Sequence, residues 1–561
     1  MRHPEGSEDI VATVPRRCGN PWRKPPVCKP IPDSTDRQQA RGPRHCAPVI
    51  PLVLLALFAL ALSGCMVGPN YADYVEPYEG LETAWNEQNT SLIQSGSGNV
   101  DLAWWRQFHD PTLNRLVETA TDQNLGLQAA ALRILESRAI LGIAVGNIYP
   151  QSQTLGGNLL RNKRSGGGPD PYINSATFGF DAAWELDFWG KFRSAVDSAD
   201  ANLMADLANY DDILVSLTAE VATTYANIRT LEERIRYALK NVELQEKSLK
   251  LVELQFEGGT VTKLDVLQAK TLMTNTKAQI PNMRASLVKY YNALAVLLGQ
   301  TPGNIREQIA AGPIPKAPAQ VGVGVPAELL RRRPDIRRAE MTAIAQCSQI
   351  GIAKADLYPS FALLGSLGSS ATNAGTASLH NIFDYDNIYF TFGPSFRWNV
   401  LNYGRIKNNV RVQDARFEQT ITNYHNTVLN AAREVEDAMT GFVQSKKEAE
   451  WVRQSMATSK ESADLSMLQY KEGISDYQRV LDSIRSLTQT QDQYAVLQGN
   501  IATNLIAMYK ALGGGWEIRD RTKMLPRHIK EKMKQRTDWG RMLDDPEPPM
   551  APEKPATSTK K

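Results

Sequence analysis

Residues 172–191 read YINSATFGFDAAWELDFWGK, and residues 388–405 read IYFTFGPSFRWNVLNYGR. The two stretches are one pattern written twice. At an offset of 214 residues Phe178-Gly179 matches Phe392-Gly393, Trp184 matches Trp398, Gly190 matches Gly404 and Lys191 matches Arg405. The match continues from Gly259 to Gly473, from Val266-Leu267 to Val480-Leu481, and from Leu298-Gly299 to Leu512-Gly513. Upstream the offset is 209: Gly142-Ile143-Ala144 matches Gly351-Ile352-Ala353, and Tyr149-Pro150 matches Tyr358-Pro359. Five extra residues therefore sit in the second copy between the proline and the Phe-Gly pair. Offsets held over such distances mark a duplicated unit with one loop insertion.

Each copy runs in the same order: a helical segment ending at Tyr-Pro, two strand-like runs, a very long helix, a short turn, and a helix ending at Leu-Gly. The strand regions are expected at about 152–188 and 360–400. Aromatic residues alternate with small or polar ones at Phe178, Phe180 and Trp184, and at Phe390, Phe392, Phe396 and Trp398. The linkers between the runs are rich in Gly, Asn, Asp and Ser, which marks turns. Long segments with weak alternation and rim aromatics fit transmembrane β-strands. Four strands do not close a barrel, and an open sheet edge is not tolerated in lipid. If these strands span a membrane, the chain must oligomerise, and three copies give twelve strands. The soluble alternative is a small β-domain capping the helices.

The long helices are expected at about 191–255 and 405–469, each without proline. At 1.5 Å per residue each would extend roughly 98 Å, a length that calls for coiled-coil packing. Leu214, Leu217, Val221, Tyr225 and Ile228 recur at spacings of three and four, which is a packing stripe. The chain reverses at Phe256-Glu257-Gly258-Gly259 and at Tyr470-Lys471-Glu472-Gly473, where glycine permits positive φ. The returning helices start near Leu264 and Gln478, and Pro281 predicts a bend or break in the first of them.

The flanks differ from this body. Residues 49–62, VIPLVLLALFALAL, follow Arg41, Arg44 and His45. The apolar run is too short for a bilayer span and has the form of a signal-peptide core. Leu62-Ser63-Gly64-Cys65 comes next and resembles the lipobox of bacterial lipoproteins. That resemblance implies cleavage before Cys65 and acylation of its thiol and amine, which anchors durably because several chains act together. Met66 rather than Asp follows, so the resemblance implies no retention at an inner membrane. Residues 1–64 read as a signal peptide with an uncertain N-terminal extension. Three cysteines leave with it, and Cys347 is then the sole unmodified thiol, which excludes a disulfide within the mature chain. The net charge of +3 hides two flanks at +4 each around a body at −5. The flank 517–561 is basic and Pro-rich; apart from a helical possibility at 527–536 it is expected to lack order.

The body also carries the marks of a family. Cys65-Met66-Val67-Gly68-Pro69-Asn70-Tyr71, Trp104-Trp105 with Phe108 and Asp110-Pro111, WELDFWGK (184–191), LDVLQA (264–269), NALAVLLG (292–299), PAELLRRRPDIRRAE (326–340), IGIAKADLYPS (350–360) and ALGGGW (511–516) occur in order. Over about 65–516 the chain resembles the TolC-like outer membrane factors, NodT/OprM branch. The resemblance implies a mixed fold: a trimeric outer-membrane β-barrel of four strands per chain, a long periplasmic α-helical barrel, and an equatorial mixed domain. One repeat would span 65–300 and the other 301–516. The resemblance further implies a non-catalytic exit duct of a tripartite efflux pump. Its partners would be two further copies, a periplasmic adaptor, an inner-membrane RND-type transporter and outer-membrane lipid. Cofactors would be none beyond the lipid on Cys65. Adaptor-contacting helix tips fall on Gly258, Gly259, Glu472 and Gly473. The periplasmic gate falls near Asp476, Arg479 and Asp482, with Arg479 placed to pair with a neighbouring aspartate. Type I protein secretion, metal efflux and a lipid-anchored coiled-coil structural protein are the rival readings.

Enzymatic and nucleic-acid readings find little support. His109, His380, His425 and His528 are far apart with no metal-ligand spacing, and no HExxH, GxSxG or P-loop is present. RRRPDIRR (331–338) is basic, yet Pro334 and Asp335 suit the first turn of a helix, so capping and packing explain it.

Overall fold

The computed structural model describes residues 66–73, 85, 92–95, 103–163, 172–303, 305–318, 320–323, 332–373, 379–519 and 524–544. The signal core, Cys65 and residues 545–561 lie outside the described residues. In chain order the elements are strand β1 (Ile93–Ser95), helices α1 (Pro111–Gln123) and α2 (Leu125–Gly146), and strands β2 (Ser152–Lys163) and β3 (Tyr172–Leu186). Helices α3 (Lys191–Glu257), α4 (Lys263–Leu297) and α5 (Ile305–Gln308), strand β4 (Val321–Val323) and helix α6 (Pro334–Ala355) follow. Strands β5 (Ser360–Thr372) and β6 (Ile388–Arg397) and helices α7 (Arg405–Lys471), α8 (Tyr477–Ala511) and α9 (Arg527–Arg536) complete the order.

The duplication is visible in the backbone. Gly190 and Gly404 precede the two long helices with φ of 76° and 81°; Gly259 and Gly473 follow them at 74° and 72°; Gly299 and Gly513 both stand at 69°. These angles strain any side chain with a Cβ, so each glycine is a point where the path is fixed. Trp184 donates its indole N–H to the Ile148 carbonyl at 3.0 Å, and Trp398 donates to the Leu357 carbonyl at the same distance.

Two helical hairpins, α3–α4 and α7–α8, carry most of the chain, and α8 also packs along α3. Helix α6 lies between α3 and α7, while its repeat counterpart α2 has its extended packing against α3 alone. Helix α4 runs through Pro281 without interruption, so of the expected bend or break the break is excluded. Proline removes one backbone bond but leaves the helix standing, because Ile280 and Met283 on either side of it are buried against Leu231, Ala238 and Val242 of α3.

The largest apolar core gathers α1, α2 and the middle of α3 with the ends of α4 and α8. Trp104 is fully buried there, stacked on Tyr509 at 5.4 Å and edge-on to Trp105 at 5.6 Å. Asp110 caps α1 by accepting the N–H of Thr112 at 2.8 Å, and its other oxygen accepts the Tyr225 hydroxyl at 2.7 Å. Strands β1 and β4 pair in parallel beside this core. The basic stretch before α6 is consumed locally: Arg333 bonds Asp335 at 2.8 Å, Glu434 at 2.8 Å and the Ala511 carbonyl at 2.6 Å, while Arg332 bonds Glu517. In the C-terminal flank the helix expected at 527–536 is present as α9, and only the residues beside it, 524–526 and 537–544, depart from the expected disorder. Leu525, Met533 and Leu543 are buried in the main core, and that apolar burial holds α9 and the turns after it in place.

Asp211 on α3 is buried and takes both its bonds from Arg519, at 2.6 and 2.7 Å. Burial nonetheless outweighs the guanidinium and pushes its carboxyl up from the ordinary carboxylate range to about 6. The native chain therefore gains a proton between about pH 6 and pH 4 that the unfolded chain does not. Linkage then makes this site's contribution to stability rise as pH falls through that window, by an amount on the order of 2–3 kcal/mol. The apparent thermal midpoint in detergent, followed between pH 7 and pH 4, should lose this component in Asp211→Asn.

Candidate channel wall and helix tips

Strands β2, β3, β5 and β6 form one antiparallel sheet in the order β2-β3-β5-β6. Its register sorts the side chains into two faces. Leu155, Phe180, Leu367 and Phe390 lie in one row across the four strands, and Gly157, Phe178, Ser369 and Ile388 in another on the same face. Leu159, Trp184, Phe361, Phe392 and Phe396 share that face by their even spacing along the strands. The opposite face carries Thr154, Asp181, Ser366 and Thr391 in one row, and Gly156, Gly179, Gly368 and Tyr389 in the next.

The apolar face is open. Phe390 is 81% exposed and Phe392 75%. No α-helix of the described residues packs along it; the short 3-10 turns of the loop before β6 meet β3 and β5 at one end, where Ser369 and Ala371 are buried, and Phe383 stands edge-on to Phe178 at 6.3 Å. An area this large and this apolar is not left to water. On the polar face Tyr389 reaches over the glycine row. A Cβ on Gly368 would stand 2.8 Å from the Tyr389 hydroxyl and 2.7 Å from the Phe178 carbonyl. The glycines are thus the floor on which the tyrosine lies.

Where sheet meets helix, aromatic residues crowd. Trp189 stacks on Tyr358 at 4.5 Å and donates to the Pro359 carbonyl at 2.8 Å. Val67 donates its N–H to the Trp189 carbonyl at 3.3 Å, and a Cβ on Gly190 would lie 2.6 Å from Met66 Cγ. The residue after Cys65 is therefore seated on the junction. Cys65 itself lies outside the described residues.

The far ends of the hairpins are built alike. Gly258 and Glu472 bond back to Leu254 and Leu468 at 3.0 and 3.1 Å; Thr260 and Ile474 bond back to Gln255 and Gln469 at 3.0 and 2.9 Å. Gly259 and Gly473 have nothing within 4 Å of where a Cβ would stand, so both turns protrude. The next helices are capped differently. Thr262 and Asp265 form a reciprocal capping box on α4. Asp476 caps α8 by accepting the Arg479 backbone N–H at 3.2 Å. Behind the turns Val252, Tyr470, Tyr477, Val480, Leu481 and Ile484 form a separate small core, with the Tyr477 and Ser248 hydroxyls 2.9 Å apart. Leu254, Phe256, Leu264, Leu267, Leu465, Leu468 and Ile474 remain exposed around it.

The sequence singled out Asp476, Arg479 and Asp482 together, and the structure separates their roles. Asp476 meets the backbone of Arg479 and not its guanidinium. Asp482 is paired one turn on with Arg485 at 3.2 Å and accepts from Gln478 at 3.2 Å. No Arg479–aspartate ion pair forms within this chain among the described residues: Arg479 and Arg485 both stand three residues from Asp482, and the order with the acid before the base, Asp482 then Arg485, is the more favourable on a helix. Arg485 was missed in the sequence, although that spacing was there to be read. The 214-residue offset also sets Thr262 against Asp476 and Asp265 against Arg479, so the second copy has exchanged its box-closing acid for a base.

A family model described as outer membrane efflux protein matches residues 116–300 and 325–514. The chain is 30% identical over 462 residues to nodulation protein T of Rhizobium leguminosarum bv. trifolii, covering 82% of this chain and 96% of that one. It is 31% identical over 490 residues to the pyoverdine export outer membrane protein OpmQ of Pseudomonas putida, covering 86% and 99%. Among solved structures, the outer-membrane channel OprN superposes with a TM-score of 0.73 at 29% identity, over 81% of this chain and 100% of that one.

Two outcomes test the site geometry. Gly368→Val should distort the β3–β5 pairing at an overpacking cost of about 1–3 kcal/mol and abolish a heat-modifiable band on gels. Gly393→Ala, where a Cβ meets nothing within 4 Å, should leave that band intact. At the tip, loss of the cap in Asp476→Ala should cost about 1 kcal/mol, read as roughly fivefold faster hydrogen exchange over residues 477–480.

Proposed function

The chain belongs to the outer membrane efflux protein family, and we propose that three copies of it form one exit duct for small molecules, standing on a periplasmic adaptor and an inner-membrane transporter. Its place is the outer membrane and its work is efflux. Its fold is that of the outer membrane channels, mostly helical with a small sheet.

The four-stranded sheet carries the reading of assembly. Its apolar face is exposed, and among the described residues its edge strands β2 and β6 lack neighbours on one side. In lipid both edges need partners, and identical copies supply them by joining β6 of one to β2 of the next. Three copies give twelve strands, a size within the range of closed barrels.

The internal repeat says where the copies meet. Within the chain α6 is held against α3 by Ser198, which donates to the Ala345 carbonyl at 3.0 Å and accepts from Gln349 at 2.8 Å. The repeat offsets carry Ser198 to Val412 on α7 and Gln349 to Ile140 on α2. Both are apolar and open, 46% and 50% exposed. Beside Ile140 lies a groove of about 350 Å³, lined by Arg133, Glu136, Asn202 and Asp206. The first turns of α7 bring Arg405, Lys407, Arg411 and Arg416. Helix α7 of a neighbouring copy thus fills for α2 the place that α3 fills for α6.

The remaining roles follow from position. Cys65, one residue before the seated Met66, carries the lipid at the foot of the wall. Gly258, Gly259, Glu472 and Gly473, ringed by exposed Leu254, Leu264, Leu468 and Ile474, meet the adaptor. Asp476, Arg479 and Asp482, with Arg485, line the periplasmic mouth.

Reconstitution in planar bilayers should give stepwise conductance. A detergent-purified trimer with Ile140→Cys and Val412→Cys should run as a disulfide-linked ladder without reductant, and Ile140→Cys alone should not. A monomer in solution would sink the trimer reading.

A further inference from the structure

The family match ends at residue 514, and beyond it most of the positive charge of residues 527–541 lacks an acidic partner among the described residues. Leu525, Met533 and Leu543 anchor this segment in the main core, and Lys534 is tied to Asp544 at 2.8 Å. Arg527, Lys530, Lys532, Arg536 and Arg541 have no acidic partner among the described residues. All but Lys530, which is half-buried, are exposed. Nearer the body the basic residues are neutralised: Arg332, Arg333, Arg338 and Arg519 each have an acid within reach. Five unpaired cations within fifteen residues repel one another, and an anion brought against them relieves that cost.

Their position points to the anion. Met542 lies against α2: a Cβ on Gly142 would stand 3.7 Å from Met542 Cε. Gly142 is four residues before the end of α2 at Gly146, about 6 Å along the axis, and β2 starts at Ser152. Between them stand the junction aromatics Tyr149, Trp189, Tyr358 and Trp398, which mark the lower rim of the apolar wall. The headgroup layer adds about 5–7 Å beyond the hydrocarbon on each side, and long basic side chains extend toward it. We infer that residues 527–541 dock anionic phospholipid headgroups of the periplasmic leaflet, the cations taking phosphates while half-buried Trp539 and exposed Met542 offer apolar contact. A cell-wall polymer would lie deeper in the periplasm, away from the rim. This inference rests on reading the sheet as the membrane wall.

The test uses the full-length protein in nanodiscs of phosphatidylcholine with a minority of phosphatidylglycerol, and spin-labelled lipids of each kind. The wild type should immobilise phosphatidylglycerol in preference. Lys532→Gln with Arg536→Gln and Arg541→Gln should lower that preference by roughly fivefold per charge at low ionic strength, and salt should erase the difference. Glu531→Gln, on the same helix, should not lower it. A triple variant with unchanged lipid preference overturns the inference, and so does one that loses only its binding to purified peptidoglycan. A chain that fails to enter nanodiscs at all counts instead against the membrane wall itself.

Discussion

A sheet with one greasy face and two unfinished edges is the constraint on which this molecule turns. The outward-facing backbone N–H and carbonyl groups of β2 and β6 have no strand partner among the described residues, and hydrocarbon offers none. Everything outward of the junction follows from that. In the proposed trimer the apolar row through Leu155, Phe180, Leu367 and Phe390 faces hydrocarbon. The polar face, with Asp181 and Tyr389, then faces the water that a closed wall would enclose. The helices below fit the same proposal: they are long and half-exposed along one face, where a second copy would pack.

Duplication solves this economically and imperfectly. The two halves share their glycine angles and their paired tryptophan bonds, so one set of local rules builds both. They differ where the second half meets a different neighbour. Asp187 accepts the N–H groups of Phe192 and Arg193 at the start of α3, both at 2.9 Å, whereas the matching position before α7 is Leu401, 83% exposed. At the tips a capping box in one half faces a single aspartate cap in the other. Such departures mark surfaces that only one half presents.

Most of the fold could be read from the chain because its cues are local. Glycines requiring positive φ fixed the turns, the period of two revealed the strands, and the repeat offset tied distant pieces together. The misreadings share a cause. Pro281 looked like a break because proline's penalty is local, but the packing of Ile280 and Met283 is not. The tail's helix at 527–536 was legible, but the order of the residues flanking it was not, since three spaced apolar residues, Leu525, Met533 and Leu543, pin the segment to a core built elsewhere. Arg479 has no acidic partner within one chain, because Asp482 takes the base that follows it, Arg485, rather than the one that precedes it. Site roles that depend on a second copy are the least legible, since one sequence carries both sides of the contact without saying which faces which.

The two long helices have the same length, 67 residues each, and the two returning helices are both 35. An inserted residue in any one of them would push its tip outward by 1.5 Å and rotate everything beyond it by about 100°. In the proposed trimer the six turns would then no longer lie in one plane, and an adaptor could not meet them all alike. That requirement accounts for the equal helix lengths. The halves have diverged by five residues instead between Tyr-Pro and Phe-Gly, a stretch that includes the loop before β6. The molecule behaves as a ruler whose graduations are locked at one end and free at the other.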